Sequence, residues 1–410
     1  MNFSFSGRCT GLLVLIALSF SAAQLDAQES IRFSYERNFI RANLAAKSGI
    51  LLDAATDERA GDFIGELYIF ALQFALSNVE FLRDDPDMII LVATAARGAG
   101  VNGGNASVRI LLDLFREYHD LYSRVEILGA LGMLGKGNPQ VVGALNQFLE
   151  GETNSFRRGN QAFSGQRFAG AGMDASQDFT VLRACISALS MLGDGSSFPF
   201  LFSAMTAGYP QGVTQETLKA LESIQGNYHD YLIDIIRRNP FPEKAAAFRI
   251  GAYNERLSFA ERGEIAQTAL EVSLNAYSSV GNSLRYDAIT VLTRLRWTPA
   301  APLAIRNFYL VQTDYTSGTV PKERLLEAIV CLGVMGSSDA AVALALQLGY
   351  LNSQTESTGE YDEAVILAIV NALGALGDKA AFDYLLYINY LNYSDRIQSA
   401  AREAMNRLKW

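Results

Sequence analysis

With 50% of its residues apolar and 19% charged, the chain can bury a large core, and at 410 residues it is longer than a single compact core favours. Its formal charge of −9 argues against broad nucleic-acid binding and against an anionic membrane surface. With two histidines and three cysteines, little is left for metal or nucleophilic chemistry.

The N-terminus reads as a cleavable secretory signal over residues 1–27. Arg8 supplies a positive start, and Gly11–Phe20 (GLLVLIALSF) is an apolar run. Ala-x-Ala-like sites follow, at Ala23 or, better, at Leu25-Asp26-Ala27. The run is too short to span a bilayer comfortably, so no integral membrane span is expected. Cys9 lies before the run, not after it as a lipoprotein cysteine would. The expected location is the periplasm or cell envelope. Residues 28–120 then read as a helical region of degenerate repeats. Within it, Asp84-Asp85-Pro86-Asp87 lacks the glycine and distal glutamate of an EF-hand loop and reads as a helix start with Pro86 in the first position.

From residue 121 a phrase recurs, Ala-Leu-Gly-x-Leu-Gly. It is complete at Ala130–Gly135 and Ala372–Gly377, and nearly so at Ala188–Gly193 and Cys331–Gly336. Degenerate copies stand at Ala220–Gln225, Val291–Arg296 and Ala404–Lys409. Their last residues, at 135, 193, 225, 296, 336, 377 and 409, are 58, 32, 71, 40, 41 and 32 apart. Steps of 32 to 41 fit one helix–turn–helix unit, and such periodicity signals stacked repeats. The step of 71 implies one unmarked unit near Glu261–Tyr277, and the step of 58 implies one unit plus an insertion.

Within a copy, Val125, Leu128, Leu131 and Leu134 line one helix face. Small residues such as Ala130, Gly132, Ala372 and Gly374 predict close approach of a neighbouring helix. Gly135, Gly193, Gly336 and Gly377 predict left-handed helix ends. Asn138-Pro139 and Thr298-Pro299, with Asp339 and Asp378, predict the starts of second helices. Those helices carry stripes of their own: Val141, Leu145, Phe148 and Leu149 in one, Ala381, Phe382, Leu385, Leu386 and Ile388 in another. A pair of helices cannot bury both stripes alone, so neighbours must stack. A capping helix is expected near 394–410.

The insertion is placed at 151–178 and read as a loop, because Gly151–Asp178 lacks helical period and is dense in Gly, Ser, Asn and Gln. From Thr153 to Met173 it carries Arg157, Arg158 and Arg167 with no acidic residue, and Phe156, Phe163 and Phe168 lie among them. Two readings stand. One is a contact loop for an acidic or phosphate-bearing partner, using Arg157, Arg158, Arg167 and Phe163. The other is a solvated insertion whose phenylalanines tuck against nearby helices. Thr313–Val320 and Asn352–Glu360 read as ordinary connections.

His119 and His229 each sit in Tyr-His-Asp, but at different places in the repeat, which favours polar residues at helix starts over a catalytic or metal role. Cys185 and Cys331 fall among first-helix packing positions and read as small buried residues. No phosphate-binding loop, dinucleotide fingerprint, zinc spacing or nucleophile elbow is found, and no cofactor is expected.

The ALGxLG helix, its Gly-Asp turn and the shorter second helix resemble HEAT repeats, especially the short bacterial kind named after the phycobilisome lyases. The resemblance is clear over residues 121–410 and weaker over 33–119. It implies an all-α, α/α superhelical solenoid of stacked helix–turn–helix repeats. It also implies scaffold, adaptor or binding roles, with a few enzymes, and transfers no catalytic residue, because every matched position is a packing residue. The second helices of such solenoids commonly line the concave side. That directs attention to Tyr384, Tyr387, Tyr390 and Tyr393, whose three-residue spacing drifts around a helix and must turn some rings inward. The reading that follows is a non-catalytic exported scaffold that binds a protein partner, with Tyr384 and Tyr387 as candidate contacts. The alternatives are an envelope-structural protein that binds glycan or peptidoglycan, and a lyase-like enzyme.

Overall fold

The structure, a computed structural model, describes residues 31–61, 63–164 and 179–409. The signal-peptide region and Arg167 lie outside them. Among the described residues the chain is all α, with two isolated single-residue bridges in place of strands. Its contacts divide it into two units, Met1–Gly226 and Asn227–Trp410.

In the first unit α1 spans 31–41, followed by α2 (Leu44–Thr56), α3 (Ile64–Ser77) and the single turn α4 (Val79–Leu82). Then come α5 (Pro86–Asn102), α6 (Ala106–Glu117), α7 (Leu121–Leu134) and α8 (Pro139–Ser164). The unit closes with α9 (Thr180–Leu192), α10 (Phe198–Met205) and α11 (Gln211–Ser223). Helices α5, α7, α9 and α11 pack side by side in one layer, and α6, α8 and α10 form a second layer over them.

The second unit comprises α12 (His229–Arg238), α13 (Phe241–Ala252), α14 (Phe259–Ser273), α15 (Ser279–Leu295) and α16 (Ala301–Thr316). It continues with α17 (Lys322–Val334), α18 (Ser338–Thr358), α19 (Glu363–Leu376), α20 (Phe382–Tyr387) and α21 (Asp395–Asn406). Its first layer is α13, α15, α17, α19 and α21; its second is α12, α14, α16, α18 and α20. The capping helix expected near 394–410 is α21, and the unmarked unit expected near Glu261–Tyr277 contains α14.

The recurring phrase is a stacking device. Its third residue meets the first residue of the next copy. A Cβ on Gly132 would lie 2.9 Å from Ala188 Cα, one on Gly333 3.1 Å from Ala372 Cα, and one on Gly374 3.1 Å from Ala404 Cα. Gly100 stands in the same relation to Ala130, 3.1 Å away, so this packing begins upstream of residue 121. Residue 120 is therefore no boundary in the stack: α5 and α7 join across it. Where the glycine is replaced, the contact changes chemistry. Ser190 hydrogen-bonds Ser223 at 2.8 Å, and Thr293 meets the thiol of Cys331. At two steps of 32 the backbone adds a tie. Gln225 N donates to Gly193 O at 2.9 Å, and Lys409 N donates to Gly377 O at 2.8 Å.

The helix ends follow the sequence with three corrections. Gly193, Gly336 and Gly377 are left-handed, with φ of 64°, 63° and 68°. Gly135 is not: its φ is −84°, and Gly137 two residues on takes φ 77°. At the equivalent end of α15 a side chain is forced into this region, Arg296 at φ 49°. Asp85, Asp120 and Asn138 accept the first free amides of their helices, as expected, and Asp378 accepts from Ala380 N in a 3₁₀ turn (Lys379–Ala381) that precedes α20. Thr298 does not cap: it opens a 3₁₀ turn (Thr298–Ala300) preceding α16. Asp339 sits in the first turn of α18 rather than at its cap.

Three stretches read as loops are helical. Residues 151–164 continue α8, residues 313–316 end α16, and residues 352–358 end α18. The inward faces of α8 and α18 carry polar residues where an apolar stripe is sought. In α8, Leu149, Thr153 and Phe156 are buried at i, i+4 and i+7, with Phe156 stacked on Tyr209 at 4.1 Å. In α18, Leu348, Asn352 and Thr355 repeat that spacing. Asn352 and Thr355 are satisfied by the buried Tyr393 hydroxyl, at 3.0 Å each, so burial leaves them hydrogen-bonded. The insertion expected at 151–178 is thus helical to Ser164, and 165–178 lie outside the described residues.

Candidate binding surface on the second-layer helices

In the second unit, α18 stands between α16 and α20 in the second layer, and large apolar side chains are exposed along all three. Between Asp339 and Glu356 it holds sixteen residues without a charge. Its inward face is buried, yet Val342, Leu346 and Tyr350, four apart, remain 41%, 55% and 56% exposed. Spacing of four keeps them on one helix face. On one side α16 adds exposed Tyr309 and Leu310, and on the other Leu386, Tyr387 and Tyr390 stand exposed at and just after α20. Hydrogen bonds fix the order of these helices. Gln312 of α16 donates to Gln347 of α18, and Asn352 of α18 donates to the Tyr384 carbonyl at 3.1 Å.

Beside this stripe lies a groove of about 420 Å³. Gln347, Tyr350 and Gln354 of α18 form one wall, Gln312 and Tyr315 of α16 another, and Tyr361 stands before α19. Gln354 Nε2 donates to the Tyr350 hydroxyl at 2.9 Å. The Tyr361 hydroxyl accepts from Ser394 N at 3.1 Å, and its ring meets Tyr393 edge-on, which holds the far wall in place. Lys322, at the start of α17, pairs with Asp362 at 2.5 Å.

Of the candidate contacts, Tyr387 lies on this surface. Its hydroxyl donates to Glu356 Oε1 at 2.9 Å, and that bond raises the phenol above its ordinary range. Tyr384 is half-buried and packs on Gly349, where a Cβ would lie 2.7 Å from its ring. Tyr393 is the inward-turned ring. Arg157 and Arg158 belong to the first unit, on α8. Arg157 donates to Ser203 O at 2.8 Å and Thr206 Oγ1 at 3.3 Å near the end of α10, so its guanidinium is engaged within the fold. Arg158 is exposed and donates within its own helix, to Asn154 O and Ser155 Oγ. The side chains of Phe163 and Arg167 lie outside the described residues.

The residues set aside for chemistry have structural surroundings. His119 Nδ1 is 2.8 Å from Arg124, whose guanidinium lies over Phe115 and Phe148. His229 opens α12, 3.2 Å from Asp230, and its Nε2 is 3.3 Å from Glu264 but not aligned for a hydrogen bond. Burial pushes the Cys185 thiol far up, and pushes Cys331 up to about 11 against a hydrogen bond from Thr293. Among the described residues no three His, Cys, Asp or Glu side chains are grouped to hold a metal ion, and no helix is long and apolar enough to cross a membrane. In the first unit a second groove, about 510 Å³, runs along α9 and α11, and there Arg183 is bound to Glu216 in a two-pronged pair.

No family model and no curated protein matches this chain. Among solved structures it is similar to an engineered protein from a structural genomics consortium, at 14% identity, over 89% of this chain and 99% of that one. The TM-score is 0.35, too low to carry an argument about fold or function.

Sequence reasoning missed Gln312, Gln347, Gln354, Tyr350 and Tyr361. The uncharged run of α18 is the signal for Gln347, Tyr350 and Gln354, while Gln312 on α16 and Tyr361 before α19 carry no such signal.

Proposed function

We propose that this chain is a non-catalytic scaffold, exported to the cell envelope, that binds a protein partner on the second-layer surface of its second unit. The observation that carries the reading is the exposed row Val342, Leu346 and Tyr350 on a helix with no charge for sixteen residues. Solvated helix faces carry charge, whereas the centres of protein interfaces are depleted in it and enriched in tyrosine. Exposed Tyr387 and Tyr390 extend the row, and they offer contact area at low entropic cost. Export rests on Arg8, the apolar run Gly11–Phe20 and the small-residue site at Leu25–Ala27.

The test is Leu346→Glu. It places a charge in the centre of the row without touching the buried face, so the melting temperature stays constant while partner capture from envelope extract falls by more than tenfold. Equal capture by wild type and Leu346→Glu refutes this location.

A further inference from the structure

We propose that the groove between α16, α18 and the start of α19 is a binding site for a neutral oligosaccharide, a ligand beyond the protein partner argued above. Small-molecule pockets are mostly apolar with a few placed polar groups. In this groove ten of the fourteen lining residues carry a polar side chain, and four are Leu, Val or Ile. Thr355, Tyr361 and Asp362 are engaged within the fold, and the glutamines and Tyr350 that remain call for a ligand dense in hydrogen-bonding groups. The lining contains no Lys, Arg or His. Nothing there neutralises a phosphate, sulfate or uronate, and nearby Lys322 is bound to Asp362.

The wall groups alternate between giving and taking. Gln312 Nε2 is engaged by Gln347 Oε1, which leaves an acceptor on Gln312 and a donor on Gln347 for a ligand. Gln354 Nε2 is engaged by the Tyr350 hydroxyl, which leaves an acceptor on Gln354 and the phenolic proton of Tyr350. Exchanging oxygen and nitrogen within each carboxamide of the Gln312–Gln347 pair preserves one donor and one acceptor. Along α18 this alternation covers residues 347 to 354, about 10 Å at 1.5 Å per residue. Sugar hydroxyls, each donor and acceptor at once, match it. An extended peptide offers one backbone donor and one acceptor per residue, and also needs apolar pockets for its side chains. The half-exposed Tyr350 ring supplies the remaining element, an apolar face for the C–H side of a pyranose.

The test applies the full chain to an array of neutral, sulfated and uronic oligosaccharides, followed by titration calorimetry with the neutral sugar retained best. The expected result is retention of neutral sugars and not of acidic ones. Tyr350→Ala and Gln347→Leu should each weaken binding about tenfold, equal to ~1.4 kcal/mol. Tyr350→Phe, which keeps the ring, should retain most of it, both Tyr350 variants should melt with the wild type, and Gln347→Leu, which loses the bond from Gln312, should melt slightly lower. Leu346→Glu, outside the groove lining, separates the two ligands: sugar binding persists while partner capture is lost. The proposal is overturned if no neutral sugar binds at millimolar concentration, if acidic sugars are preferred, if a peptide occupies the groove instead, or if binding survives Tyr350→Ala and Gln347→Leu unchanged.

Discussion

Two glycines three residues apart on α7 allow the stacking device to be weighed. Gly129 has nothing within 4 Å of a built Cβ, while a Cβ on Gly132 would meet Ala188 Cα at 2.9 Å, Ala188 Cβ at 3.2 Å and Met191 Cε at 2.4 Å. Both substitutions to alanine gain about 1 kcal/mol of helix propensity. Gly129→Ala keeps that gain. In Gly132→Ala the methionine methyl can swing aside, but the Ala188 backbone cannot move without α9. Overpacking of this kind costs about 1–3 kcal/mol, so the net change runs from zero to about 2 kcal/mol of destabilisation. The two variants should therefore differ by roughly 1–3 kcal/mol in opposite directions about the wild type. Stacked repeats unfold by neighbouring units, so the reading should come from amide exchange of α7 and α9 together with urea midpoints. If Gly132→Ala stabilises the chain as much as Gly129→Ala, the glycine is not the contact through which successive units close.

Arg157→Ala should destabilise the first unit by about 1 kcal/mol, through loss of the bond to Ser203 O. Arg158→Ala should leave the urea midpoint in place. Hydrogen bonding from Arg183 holds Glu216 below its ordinary value of 4.5, so the stability contributed by this pair is present above pH 4.5 and lost as pH falls through the lower folded value. Arg183→Gln should remove that part of the acid dependence and leave stability at pH 7 nearly unchanged, because the pair is solvent-screened. Both described cysteines should resist a thiol reagent at pH 8 in the native chain and react when urea unfolds it. Rapid native labelling would contradict the burial of Cys185 and Cys331.

The architecture was legible because it is written in packing residues. A glycine facing an alanine at repeated spacing has one physical use, and Gly132, Gly333 and Gly374 serve it. The extent of the second helices was not legible. Periodicity searches look for apolar inward faces, and α8 and α18 place Thr153, Asn352 and Thr355 there. Their partners, such as Tyr393 forty-one residues from Asn352, are known only after folding. The same blindness affected the site. Arg157 reads as a free cation until α10 presents its carbonyl, and Tyr384 and Tyr387 look equivalent until Gly349 takes one ring and leaves the other exposed. Gln347 and Gln354 are unremarkable alone and become a wall only when α16 supplies Gln312.

The central claim is that the partner sits on the α18 surface, and position-specific photo-cross-linking tests it most directly. A photoreactive residue placed at Leu346 or Tyr350 should join the chain in cells to one and the same envelope protein. The same residue at Val330, which is 50% exposed on the first-layer helix α17, should not. Cross-links of equal yield from Val330, or none from Leu346 and Tyr350, would contradict the account.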